Sequence, residues 1–306
     1  MAAASAVMWV QARGQGSYLG TNVFIASVNL RWEAVQRELQ TYLDGGGRLA
    51  IISQEAAWWS SIVVGEDDPF LHRYMHVRYL QDDPGGRALA AAPGDPIADG
   101  LALQVNQDWP DEVGIWRTDS LAQPVFRFVG VPPRSNSAVT PLPRDVAEGN
   151  LAAVRVSGEP RLTRSGVEPA PIPYRVFYSS VTLEGIEDDK ERTELLGRIV
   201  GWLTSRHTVE VGGQLVGYRG VGTMLHALAR SEDPKTQFAS FVWDFGDGSP
   251  LLQTATPSVS HVYKREGVYM VRVEATDRWG HKSVSPARAV VVHPSLGTLL
   301  PVSRGP

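Results

Sequence analysis

The sequence contains no cysteine, and this absence removes three kinds of chemistry. A chain without thiols forms no disulfide, binds no metal through thiolate and has no cysteine nucleophile. A surplus of positive charge is also missing, because 29 Lys and Arg face 33 Asp and Glu, for a formal net charge of −4. Without basic residues in excess to neutralise phosphates, we predict no nucleic-acid partner.

Long apolar runs are absent too. No stretch approaches the roughly 18 apolar residues that indicate a transmembrane helix, so we predict no membrane span in this chain. Residues 1–7 lack the positive leading segment and apolar core of a signal peptide. The composition, 43% apolar and 20% charged, is typical of a folded protein, and 306 residues suggest two domains.

The most informative segment lies near the C-terminus, where Trp243–Ser249 reads WDFGDGS. Asp247-Gly248 predicts a tight turn, because glycine accepts positive φ and the Asp side chain bonds nearby backbone N–H groups. Residues 268–273 follow the two-residue period of a strand with one buried face.

These residues, with His261-Val-Tyr263 and Gly267–Asp277, resemble the signature of the PKD domain, an immunoglobulin-like β-sandwich. The resemblance covers residues 208–293. It implies a binding or spacer module of secreted or cell-surface proteins rather than a catalyst. We expect three regions, namely a first domain at 1–206, a PKD domain at 207–294 and a tail at 295–306.

The first domain begins with the pattern of a βαβ unit. Val7–Val10 is a short strand candidate, a helix follows from Asn29, and Gly45-Gly46-Gly47 ends that helix. Arg48–Ile52 is an apolar run of strand length, as expected for a strand covered on both faces.

Later segments are assigned by their spacing and composition. We expect one or two helices in 56–81, and loops with short strands in 82–173, where Pro and Gly are dense. Residues 174–181 predict a strand and residues 189–203 a helix, capped by Asp188 or Asp189.

Two stretches, Tyr42–Glu55 and Tyr174–Ile186, resemble class I glutamine amidotransferase-like domains. The resemblance implies a flavodoxin-like parallel sheet between helices over about residues 5–205. In that family a strand, a helix and another strand precede the segment matched by Val7–Val10, so an N-terminally truncated sheet is one alternative. The expected fold class is therefore α/β followed by a β-sandwich.

The same resemblance tests for catalysis. Active members of the family carry a cysteine on a sharp turn and a later His-x-Glu, and the matching positions here are Ser53, Thr182 and Glu184. A serine hydroxyl needs an adjacent base to attack at neutral pH, and threonine does not act as one. We therefore expect no amidotransferase activity and no cofactor.

Metal sites are not favoured either. His72 and His76 have the i, i+4 spacing of a helical zinc pair, but Arg73 stands where the HExxH motif requires glutamate. Asp244 and Asp247 could offer oxygen ligands to Ca²⁺, although two acids are few for such a site and the turn itself explains Asp247. We predict no metal and keep both aspartates as binding candidates.

Trp279 is the third binding candidate. In the loop-like segment Asp277–Gly280 it either stacks on a sugar ring or a protein partner, or packs over the end of the sandwich. Taken together, the two resemblances imply a non-enzymatic, secreted or cell-surface bacterial protein whose PKD module binds protein or polysaccharide or acts as a spacer. The alternative is an accessory region of a secreted peptidase or glycosidase.

Overall fold

The computed structural model describes residues 7–10 (backbone only), 36–54, 56–59, 61, 70–116, 121–131, 142–232 and 236–294. The chain forms two compact units. The first contains the residues up to Gly158 together with Ile172–Thr204, and the second contains Glu159–Pro171 together with the residues from Ser205 onward. Within the described ranges, no helix is both long and apolar enough to cross a membrane.

Within the described residues, the first unit contains nine strands, three α-helical segments and two short turns of other helix types. The strands are β1 (Val7–Val10), β2 (Arg48–Ile52), β3 (Val77–Asp82), β4 (Ala88–Ala91), β5 (Ala102–Gln104), β6 (Asp111–Trp116), β7 (Ala122–Phe128), β8 (Val146–Ser157) and β11 (Arg175–Ser179). Between β8 and β11 the chain forms two hairpin strands that belong to the second unit, β9 (Arg161–Thr163) and β10 (Gly166–Glu168). The helices are α1 (36–44), α2 (Ala56–Trp59) and α3 (Asp189–Thr204), with a π-helical turn at Leu71–Met75 and a 3₁₀ turn at Leu183–Gly185.

One sheet organises this unit, in the order β1-β2-β11-β8-β7-β4-β5, with β6 pairing with β8 and β3. β1 and β2 are parallel neighbours, with Val7 opposite Leu49, and helical residues lie between them in the chain. This arrangement confirms the predicted order of strand, helix and parallel strand, and the expected start of the helix at Asn29 lies outside the described residues. β11 joins the other side of β2, also in parallel.

The expected flavodoxin-like sheet is not what the described strands form. Only β1, β2 and β11 run parallel, whereas β3 to β8 pair antiparallel. Short connections allow antiparallel pairing, whereas a parallel pair needs a long crossover. The segment that we expected to hold loops and short strands therefore supplies most of the sheet, and its strand β8 is 12 residues long.

The helices predicted in 56–81 are short. α2 has four residues and the π-helical turn has five, after which Val77–Asp82 is a strand. His76 adopts a left-handed backbone with φ of 56°, which ends the turn. The helix predicted at 189–203 is confirmed as α3, and Asp188 Oδ1 caps it by accepting hydrogen bonds from Lys190 N at 2.8 Å and Glu191 N at 3.0 Å.

The second unit is the expected immunoglobulin-like sandwich. Its strands, besides β9 and β10, are β12 (His207–Gly213), β13 (Val216–Tyr218), β14 (Gly222–Ser231), β15 (Phe238–Asp244), β16 (Leu252–Thr254), β17 (Ser258–Val262), β18 (Gly267–Asp277), β19 (Lys282–Val284) and β20 (Arg288–His293). One sheet has the order β12-β14-β17 and the other β13-β20-β18-β15-β16, with β19 on β18. Alternate residues of both sheets fill the core, which includes Trp243, Tyr263 and Val271.

The antiparallel hairpin β9-β10 belongs to this second unit, although its chain lies between β8 and β11. Leu162 is buried, and its N–H donates to Glu274 Oε2 at 2.7 Å. Glu159 accepts hydrogen bonds from Lys282 N at 3.0 Å and pairs with His281 Nδ1 at 3.0 Å. These contacts were not foreseen in the sequence, and the boundary expected at 206/207 stays a prediction.

Candidate functional site

The amidotransferase-like positions lie at the carboxyl ends of β2 and β11. Because these strands are parallel neighbours, their ends meet at one edge of the sheet, where α/β proteins commonly bind ligands. Ser53 N donates to Ser179 O at 2.9 Å, and the side chain of Ser53 is buried, with 2% of the residue exposed.

Thr182 is held by a buried glutamine. Gln107 Oε1 accepts hydrogen bonds from the Thr182 backbone N–H at 2.8 Å and from its hydroxyl at 3.1 Å, and Gln107 Nε2 donates to Ser180 O at 2.9 Å. The Thr182 hydroxyl in turn accepts from Gly185 N at 3.2 Å. Threonine thus caps the 3₁₀ turn, and no imidazole stands at that position.

The remaining predicted catalytic and metal candidates are dispersed. Glu184 is exposed on the 3₁₀ turn. The ring of His72 packs edge-on against Trp116 with centroids 4.5 Å apart, and His76 Nε2 lies 3.1 Å from Tyr174 Oη. In the part of the chain that the structure describes, no group of three or more His, Asp or Glu could hold a metal. The loss of catalysis stays a prediction.

A residue that sequence reasoning missed stands beside this edge. Trp109, between β5 and β6, is 57% exposed and has a φ of 61°. The left-handed region is rare for bulky side chains, and the residue before a proline, here Pro110, is further restricted. Such a conformation costs roughly 1–3 kcal/mol and persists only when its surroundings impose it. The signal available in the sequence was an aromatic residue within the polar, turn-forming segment Asn106–Pro110.

The surroundings of Trp109 do impose its conformation. Asn106 N donates to Gly185 O at 2.7 Å. Gln107 is fully buried, and its side chain is hydrogen-bonded to Thr182. On the other side Pro110 is buried and Asp111 accepts hydrogen bonds from Ala57 N and Trp58 N of α2, at 3.2 and 3.0 Å. Both ends of the Trp109 loop, residues 106–110, are therefore fixed.

Charged side chains flank this loop. Arg87 donates to both carboxylate oxygens of Asp83, at 2.9 and 3.3 Å, and its Nη2 lies 4.0 Å from Asp108 Oδ1. The hydrogen bond from Arg87 holds the pKa of Asp83 below its usual value, despite opposition from partial burial, so this carboxylate is ionised at neutral pH. Asp108 is largely exposed.

In the second unit, the two candidate aspartates are occupied by their own turn. Asp244 Oδ1 accepts from Gly246 N at 2.9 Å, and Asp247 Oδ1 accepts from Ser249 N at 3.0 Å. Asp247 Oδ2 lies 2.8 Å from His261 Nε2. Burial opposes the charge of Asp247, but the hydrogen bonds from Ser249 and His261 outweigh it, and the pKa of the carboxyl is below its usual value.

Aromatic rings extend this turn into the core. Phe245 stacks between Trp243, with centroids 6.3 Å apart, and His261, with centroids 3.8 Å apart. Tyr263 stacks on Tyr269 at 4.4 Å, and burial raises the pKa of Tyr263 far above its usual value. The signature residues therefore build the sandwich, with Trp243 fully buried.

Trp279 is 8% exposed, and the Arg278 guanidinium lies over its ring, 4.5 Å from the centroid. Trp279 is therefore packed in the structure rather than exposed for stacking on a partner. A ligand would reach this ring face only after Arg278 moved. The binding role of Trp279, like that of Asp244 and Asp247, stays a prediction.

The sandwich and its signature agree with a comparison to known families, in which the PKD domain model matches residues 209–288. Residues 209–288 form a PKD domain. Human polycystin-1 is 38% identical over 65 residues, which are 21% of this chain and 1% of polycystin-1, so the chain spans only a small fraction of that relative.

Solved structures give similar matches to this PKD domain. The PKD domain of an M14-like peptidase from a Thermoplasmatales archaeon is 21% identical, over 28% of this chain and 93% of that one, with a TM-score of 0.23. The PKD1 domain of Vibrio anguillarum Epp is 24% identical, over 29% of this chain and 94% of that one, with a TM-score of 0.20.

Proposed function

We propose that this chain is a non-enzymatic extracellular or cell-surface bacterial protein, in which the PKD domain serves binding or spacing. The observation that carries the absence of catalysis is the hydrogen bonding of the Thr182 hydroxyl. Its hydroxyl is committed to Gln107 and Gly185, at the position where a catalytic histidine would accept the proton of Ser53. A serine nucleophile needs an adjacent base, and threonine does not act as one.

PKD domains occur in extracellular proteins and beside peptidases, which supports the proposed location. A protein or a polysaccharide outside the cell is the proposed partner, and Trp279, Asp244 and Asp247 remain proposed contacts.

Hydrolysis assays test the absence of catalysis. In the presence of the purified chain, chromogenic esters and amides, including glutamine anilides, are expected to hydrolyse at the background rate. Ser53→Ala is expected to give the same rate of hydrolysis. Hydrolysis above background that disappears in Ser53→Ala would refute the proposal.

The alternative, an accessory region of a secreted peptidase or glycosidase, makes a different prediction. It requires the native protein isolated from the culture medium to exceed the 33.4 kDa of this chain and to carry a catalytic domain. Intact-mass measurement of the native protein, followed by peptidase and glycosidase assays of it, distinguishes the two, because only the alternative requires a catalytic activity.

A further inference from the structure

The Trp109 loop combines three properties. A large aromatic ring is exposed, its backbone is held in an unfavourable region, and the residues on both sides are anchored. A chain that needed only a turn here would place glycine or asparagine at the positive φ. The exposed indole is therefore the feature that the local structure maintains.

The neighbours of Trp109 indicate the class of ligand. A protein partner would be expected to bury the indole within an apolar surround. Asp108 instead precedes Trp109 in the loop, and Arg87, which is paired with Asp83 at 2.9 Å, lies 4.0 Å from Asp108 Oδ1. Carboxylates accept and a guanidinium donates hydrogen bonds, which is what the hydroxyl groups of a sugar require beside a flat apolar ring.

We propose that the Trp109 loop, with Asp108 and Arg87, is a binding site for a neutral polysaccharide, whose sugar ring stacks on the exposed indole. Two carboxylates facing one guanidinium disfavour an acidic polymer. This inference rests on the proposed binding function, and it assigns that function to the first unit as well as to the PKD domain. The rigid loop limits the conformational entropy lost on binding.

The test uses the whole chain and a panel of soluble glucan, xylan, mannan and galactan, with alginate as the acidic polymer, in affinity electrophoresis and calorimetry. At least one neutral polymer is expected to bind. Trp109→Ala is expected to weaken that binding at least about tenfold, and Asp108→Ala a few-fold. Val129→Ala, which alters another exposed apolar residue of the same unit, is the matched control and is expected to bind normally.

Trp109→Gly separates a binding role from a structural one. Because glycine accepts positive φ, this variant is expected to have a thermal midpoint no lower than that of Trp109→Ala while losing binding equally. Binding of alginate alone, Trp109-dependent binding of a protein, equal binding by all variants, or no binding of any neutral polymer would each overturn the inference. Ser53-dependent hydrolysis would instead refute the absence of catalysis and leave the Trp109 result standing.

Discussion

Leu162 N donates a 2.7 Å hydrogen bond to Glu274 Oε2, across 112 residues of sequence. Glu274 is on β18, is only 3% exposed, and accepts a second hydrogen bond from Lys282 Nζ at 2.7 Å. A carboxylate so deeply buried is tolerated when its oxygens are paired, and the hairpin β9-β10 supplies one of the two partners.

Replacement of Glu274 is expected to loosen the hairpin. Glu274→Ala leaves the Leu162 N–H without its partner and Lys282 without its counter-ion, at a cost of about 1–3 kcal/mol. Trypsin is then expected to cleave the variant faster after Arg161 and Arg164, as measured by mass spectrometry. The control is Glu210→Ala, at an exposed position of β12, which is expected to be cleaved at the rate of the unaltered protein. Unchanged protection in Glu274→Ala would contradict the role of this carboxylate.

The pair Asp247 and His261 predicts a loss of stability in acid. The pKa of Asp247 is lower in the folded protein, so the folded state binds fewer protons, and the stabilisation is present above the unfolded value of about 3.9. It is lost as the pH falls through the folded pKa. Chemical unfolding between about pH 5 and pH 2, monitored by tryptophan fluorescence, is expected to show a shallower acid decline in Asp247→Asn. Parallel curves would exclude the linkage.

Two glycines of the signature turn are expected to differ in their tolerance of alanine. Gly246 has φ of 70°, and a Cβ there would lie 2.7 Å from Met270 O, whereas Gly248 has φ of 79° with open space around it. Gly248→Ala is expected to cost about 1 kcal/mol from backbone strain, and Gly246→Ala substantially more, because the clash involves backbone. Thermal unfolding of the two variants compares them directly, and equal midpoints would be inconsistent with the close approach.

Thr182 is expected to matter for stability rather than for activity. Thr182→Val keeps the shape but removes the hydroxyl, which costs about 1 kcal/mol because Gly185 N and Gln107 Oε1 each lose one of their two hydrogen bonds. Thr193→Val, on the exposed face of α3, is the control and is expected to stay within about 0.5 kcal/mol of the unaltered protein in urea unfolding. A neutral Thr182→Val would argue against the cap.

The parts of the fold that depend on a local sequence pattern could be predicted from the sequence. The turn at Asp247-Gly248, the alternation in β18 and the cap at Asp188 are properties of short segments, and each appears in the structure. The antiparallel strands of the first unit depend on pairings between distant segments, such as β7 with β8, which no single segment specifies. Periodicity also gave no sign that Trp279 is covered by Arg278, or that Trp109 is exposed, because burial of a loop residue is decided by its tertiary surroundings.

The hairpin β9-β10 has a practical meaning for anyone who clones the PKD domain. A recombinant fragment that starts at residue 207 would omit Glu159 and Leu162, and so remove one hydrogen-bond partner from Glu274 and one from His281. The stretch that matches the PKD family is therefore shorter than the compact unit that contains it in the structure. Co-expression of residues 159–171, or their fusion by a designed linker, is expected to restore these hydrogen bonds.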